Sequence, residues 1–203
     1  MFEVPRLFFK PEGTLTSDVL AKVESSCMKR KLGIFLQTRF LLEANRLKIA
    51  QRVKELCLHC GDVLVVDDLE VAAKVNADGL LFEVDATDQG RARNLLGSDK
   101  LIGTVAHSIE QVADVFEDDL SDYIVLESLF ESSDSTNLLG RQRAQQIIDD
   151  SRIMGYDIPI LLSGGIDGQN AAEANLPGTY GLVTSDLDNL DAIYEEILRG
   201  PLR

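Results

Sequence analysis

The 203-residue sequence is short of positive charge, of cysteine and of long apolar runs, and each shortage closes off a class of protein. Lysine and arginine number 20 against 34 aspartates and glutamates, a net charge of −14, and no basic stretch is longer than Lys29-Arg30-Lys31. Binding nucleic acid through its phosphates needs a cationic surface that releases counterions, so no nucleic-acid partner is expected. The acidic surface predicts high solubility. It does not bar phosphorylated small molecules, which backbone N–H groups can hold locally against the overall field. Three cysteines, Cys27, Cys57 and Cys60, are too few for a disulfide scaffold and fit a reducing compartment. No apolar run reaches the roughly eighteen residues of a membrane span, and the opening MFEVPRLFFKPEG has neither a basic n-region nor a small-residue cleavage site. A cytoplasmic protein with no membrane contact is expected.

What the chain does contain is an alternation of short aliphatic runs with amphipathic helical stretches, unbroken by any linker or low-complexity tract. The runs predict strands over Arg6–Lys10, Leu32–Thr38, Asp62–Asp67, Gly79–Val84, Leu101–Ala106, Tyr123–Glu127, Ile158–Ser163 and Tyr180–Thr184. Helices are predicted between them, over Ser17–Lys31, Leu41–Cys60, Leu69–Val75, Asp88–Leu96, Ser108–Phe116, Gly140–Met154, Gly168–Asn175 and Leu190–Leu198. Thr16-Ser17-Asp18 and Ser108 with Glu110 carry helix-start signals. Strands separated by helices pair in parallel through right-handed crossovers, and eight such units close most naturally into a (β/α)8 TIM barrel. A single α/β domain spanning 1–203 is the expectation. An open doubly wound sheet is the runner-up, disfavoured because no glycine-rich dinucleotide fingerprint follows the first strand.

In such a barrel the strand C-termini share one mouth, which makes Gln37, Arg39, Asp67, Asp68, Glu83, Asp85, His107, Glu127, Ser163 and Ser185 the candidates for chemistry. The most specific local signal is Ser163-Gly164-Gly165-Ile166. Adjacent glycines let the backbone approach an anion and turn N–H groups toward it. Gly181 to Ser185 follows one unit later, and barrels commonly build a phosphate site from the loops after strands seven and eight. The expected partner is therefore a phosphorylated small molecule held by Gln37, Ser163, Gly164, Gly165, Thr184 and Ser185. The irregular stretch Glu127–Leu139 falls on the same face. Cys57-Leu58-His59-Cys60 lacks a second pair at ligand spacing and reads as helix packing rather than a zinc site.

The order of short motifs resembles the thiamine-phosphate synthase and TenI family over about Leu32 to Leu187. It is carried by Gln37-Thr38-Arg39, Val66-Asp67, Asn76-Ala77-Asp78-Gly79, Ile102-Gly103-Thr104-Val105-Ala106-His107, Ser121-Asp122-Tyr123, Phe130 and Gly164-Gly165-Ile166. The resemblance implies a role in thiamine biosynthesis: a thiazole phosphate is bound, and the synthase joins it to a pyrimidine diphosphate with magnesium. Asp67 stands at the family's magnesium-binding aspartate, and Asp85 supplies a second carboxylate if one residue is deleted after the fourth strand. The resemblance places His107 and Arg39 in the catalytic mouth, Glu127 joins them as a carboxylate at a strand end, and a homodimer is the candidate assembly.

The departures are as specific as the matches. The family lysine after the second strand falls on Leu41, the asparagine before the aspartate on Val66, the serine of the fifth strand on Val105, and the Thr-x-Thr-Lys of the sixth loop on Ser132-Ser133-Asp134-Ser135. Charge that develops on a leaving diphosphate needs cations, so these replacements predict weak or absent synthase activity. A TenI-type thiazole tautomerase, using the His107 imidazole as its base, needs no diphosphate clamp. A non-catalytic sensing or interaction barrel, and a phosphate-binding enzyme of another pathway, are the further alternatives.

Overall fold

Runs that are apolar on both faces are stable as strands only where both faces are covered. In the computed structural model, which describes residues 3–12, 15–27, 31–83, 89–130 and 138–200, the runs become β1 Leu7–Phe9, β2 Gly33–Leu36, β3 Val63–Val66, β4 Gly79–Glu83, β5 Leu101–Ala106, β6 Tyr123–Leu126, β7 Ile160–Leu162 and β8 Gly181–Thr184. Each pairs in parallel with the next, and β8 pairs with β1, so the sheet closes without an edge. Outside it lie α1 Ser17–Cys27, α2 Glu43–Cys60, α3 Leu69–Val75, α4 Gln89–Leu96, α5 Ile109–Asp118, α6 Gly140–Ile153, α7 Ala171–Ala174 and α8 Leu190–Arg199. The fold is the expected (β/α)8 barrel. Among the described residues no helix is long and apolar enough to cross a membrane.

Side chains alternate across each strand with period two. Phe8, Phe35, Val63, Val65, Leu101, Val105, Tyr123, Val125, Leu161 and Val183 fill the barrel interior. Leu7, Phe9, Ile34, Leu36, Leu64 and Val66 face the helices. The interior is floored by stacked rings, with Phe8 and Phe35 centroids 4.3 Å apart and Tyr123 5.9 Å from Phe8. Two glycines make room for them: a Cβ on Gly33 would lie 2.1 Å from the Phe8 ring, and one on Gly103 would lie 2.2 Å from Tyr123.

Three aspartates tie the N-terminal ends of the strands together. Leu32 N–H donates to Asp62, Leu64 N–H to Asp78 and Ile102 N–H to Asp122, at 2.9, 2.9 and 2.7 Å. Asp78 also takes the buried Lys54 ammonium at 2.6 Å, and Asp122 takes Arg93 at 2.8 Å. Two of the motifs that carry the family resemblance, Asn76-to-Gly79 and Ser121-to-Tyr123, thus lie at the end of the barrel away from the mouth and hold it together. Cys57 is likewise a core residue: burial, then the charges of Asp62 and Asp78, pushes its thiol up.

Boundaries differ where local chemistry intervenes. Strand β7 starts at Ile160 because Pro159, lacking an N–H, cannot join the ladder as a donor, although its carbonyl accepts from Ile124. The predicted helix from Leu41 starts at Glu43, because Thr38–Phe40 forms a 3-10 turn, Leu41 after it is extended and Leu42 is the non-helical N-cap. The helix predicted over Gly168–Asn175 contracts to α7, since Asp167 accepts from the Gln169 and Asn170 N–H groups in a turn of its own.

Candidate active site

The C-terminal ends of β1, β2, β6, β7 and β8 surround a cavity of about 930 Å³. Eight of the residues singled out in the sequence line it: Gln37, Arg39, Glu127, Ser163, Gly164, Gly165, Thr184 and Ser185. They are brought together by backbone bonds between successive loops. Leu129 N–H donates to Ser163 O and Phe130 N–H to Gly164 O, zipping the loop after β6 onto the loop after β7. That approach needs glycine: Gly164 has φ 103°, and a Cβ there would sit 2.7 Å from the Ser128 backbone. The Thr184 hydroxyl donates to Ile166 O at 2.6 Å and accepts from Asp186 N–H, joining the loops after β7 and β8. Asn170 donates to Gly165 O. The turn is therefore held by its carbonyls, and among the described residues none accepts from the Gly164 or Gly165 N–H.

Among the described residues two cations, Lys10 and Arg39, line the cavity, and each is matched by carboxylates. Arg39 lies 3.2 Å from Asp67 and 2.9 Å from Glu83, with its guanidinium over the Phe40 ring. Lys10, which closes the first strand-like run, pairs with Glu127 at 3.1 Å. Lys10 is absent from the sequence candidates, although it ends a predicted strand as they do. Leu41, at the resemblance's lysine position, lines the cavity with hydrocarbon.

Other candidates stand apart. His107 is exposed after β5, its N–H donating to the Gln111 side chain, and it is not among the lining residues. Asp67 lies behind Arg39: its Oδ1 accepts from the Thr38 N–H and hydroxyl, both at 2.6 Å, and its Oδ2 faces Arg39. With both oxygens engaged, Asp67 as placed does not fit a magnesium ion. Asp85 lies outside the described residues, as does Ser132 to Ser135. Among the described residues no group of three acidic, histidine or cysteine side chains converges as a metal site.

Comparison with known proteins bears on family and fold. A thiamine-phosphate synthase from Chlorobium phaeobacteroides is 28% identical over 156 residues, which cover 73% of this chain and 74% of that protein. One from Bacillus velezensis is 30% identical over 138 residues, 68% of this chain and 60% of that protein. In fold, the chain resembles a thiamine phosphate pyrophosphorylase from Pyrococcus furiosus, with a TM-score of 0.74 at 19% identity over 96% of this chain and 94% of that one. KGPDC from Streptococcus mutans is similar at a TM-score of 0.66 and 14% identity over 97% and 99%. These two likenesses concern the fold alone. Because the family model for thiamine monophosphate synthase matches residues 11–184, from just after β1 to the last residue of β8, the chain belongs to that family.

Proposed function

We propose that this barrel binds a thiazole phosphate at the Gly164-Gly165 turn and the Thr184-Ser185 loop, and that it forms thiamine phosphate weakly or not at all. One observation carries the reading: the cavity has an anion-ready glycine turn, while the cations that line it among the described residues, Lys10 and Arg39, are matched by carboxylates. A phosphate monoester needs little more than backbone N–H groups. Expulsion of a diphosphate needs positive charge that strengthens its hold as the bond breaks. Two missing charge-assisted contacts, at about 1.5–3 kcal/mol each, correspond to a slowing of roughly 10²- to 10⁴-fold. Asp67 would take a magnesium ion only if Arg39 left it.

The test is to mix the protein with pyrimidine diphosphate, thiazole phosphate and magnesium beside a synthase of the family, and to follow thiamine phosphate. Thiazole phosphate binding measured by calorimetry, with product formation slower by orders of magnitude, is the expected result. Turnover equal to that of the reference synthase overturns the proposal.

A second reading, proton exchange on a thiazole carboxylate phosphate, is favoured by the carboxylate of Glu127 in the cavity wall. Glu127 then acts as the base in place of His107. Deuterium exchange is expected to survive His107→Asn and to vanish in Glu127→Gln. The opposite pattern restores His107, and no exchange in any form leaves a binding protein.

A further inference from the structure

The Lys10–Glu127 pair joins β1 to β6, strands separated around the closed barrel by β7 and β8. It therefore spans the two strands whose loops form the glycine turn and the Thr184-Ser185 segment. Both anchors are fixed beside those loops. Lys10 N–H donates to Thr184 O at 2.8 Å, and Ser128, next to Glu127, is the backbone against which Gly164 packs. Both side chains are about a quarter exposed, 25% and 27%, and a pair so open to water adds little to stability.

From this geometry we propose that Lys10 is the cation this cavity gives to the anionic group of its ligand, with Glu127 as the internal anion that the ligand displaces. The proposal rests on the phosphate reading of the cavity. Arg39 is held by two carboxylates, whereas Lys10 meets one. An ammonium has three donors, so two remain after Glu127. A phosphate carries about −1.5 to −2 charges near neutral pH against one for a carboxylate, so it competes for the ammonium on favourable terms. When Lys10 turns to the phosphate, Glu127 is released beside the bound molecule, free to accept a hydrogen bond or a proton from it.

The two variants separate recognition from mere bracing because they move binding in opposite directions. Inorganic phosphate is titrated into the full chain and into Lys10→Met, Lys10→Arg and Glu127→Gln, with thermal midpoints recorded for each. Lys10→Met is expected to weaken phosphate at least about tenfold, Lys10→Arg to restore much of the loss, and Glu127→Gln to tighten binding by removing the competitor. If the pair only braces the loops, both single losses weaken binding, and that result overturns the proposal. Unchanged affinity in Lys10→Met overturns it while leaving the glycine-turn reading standing. Absence of phosphate binding in the parent chain overturns both.

Discussion

Tyr123 shows how a single residue can be placed by packing at the expense of its polar atom. Its ring fills the floor of the barrel against Gly103, yet its hydroxyl is fully buried and meets no hydrogen-bond partner among the described residues. Burial, then the charge of Asp122, drives its phenol well above the ordinary range. The folded protein thus favours the protonated form: stability from this group is present below about pH 10, and it is lost as pH rises beyond that toward the folded-state value. Tyr123→Phe removes an unsatisfied buried hydroxyl with the ring kept, so urea unfolding is expected to show a gain of about 1 kcal/mol and less loss of stability in alkali. A loss in the variant means that a water satisfies the hydroxyl. Gly103→Ala, by contrast, forces a Cβ into the same ring and is expected to cost about 1–3 kcal/mol. At this scale the sequence names candidate atoms but not their neighbours. Gln37, Arg39, Ser163 and Ser185 are legible because each follows the end of a strand. The same rule admitted His107, which falls outside the cavity, because the ring position and tilt that separate them come only from closure of the barrel.

Among the elements, the strand runs were the most readable part of the chain, since each is a short block of aliphatic residues flanked by polar ones. β5 runs over Leu101–Ala106 as expected, and α3 over Leu69–Val75. Helix starts were readable where a side chain caps them: Val19 N–H donates to Thr16, and Gln111 N–H to Ser108. The same Ser108 hydroxyl holds the Glu110 carboxyl below its usual range. What could not be read was the role of the aspartates preceding the strands. Asp62, Asp78 and Asp122 look like ordinary solvated turn residues in sequence, because the backbone N–H each one receives lies 30, 14 and 20 residues earlier in the chain. Asp78 is the most exposed to test, being paired with a lysine that is itself only 6% accessible. Asp78→Ala strands that ammonium in the core and frees the Leu64 N–H, so a loss of about 3–5 kcal/mol is expected in denaturant unfolding. The double variant Lys54→Met with Asp78→Leu is expected to recover a large part of it, because no charge is then left buried. A cost under about 1 kcal/mol for Asp78→Ala would mean that water reaches Lys54 and that the latch is carried by the other strands.

The whole molecule carries fourteen more acidic than basic side chains, from 34 against 20, and this excess sets a term that no single contact reveals. Like charges spread over a small barrel repel one another more in the compact state than in the extended chain. Opposing this are exposed ion pairs such as Lys22–Asp188 and Arg141–Glu173, each open to water and weakened by salt. The two contributions respond to salt with opposite signs, so a salt series decides between them. Raising sodium chloride from about 0.01 M to 0.15 M shortens the screening length from about 30 Å to about 8 Å, which removes most of the long-range repulsion between opposite sides of the barrel. The close pairs lose less, and the buried Lys54–Asp78 contact is screened least of all. The urea midpoint is therefore expected to rise over this range at an unchanged slope, since the surface exposed on unfolding does not change. A midpoint that falls instead would show that the surface pairs act as a network stronger than the net field. The field also bears on the site: an anionic ligand approaches against it, so salt should speed association while weakening the final contact to Lys10. Stopped-flow rates of phosphate-ester binding measured across the same salt series would show both effects, a rising on-rate beside a rising off-rate, if the anion is met by a cation inside an acidic molecule.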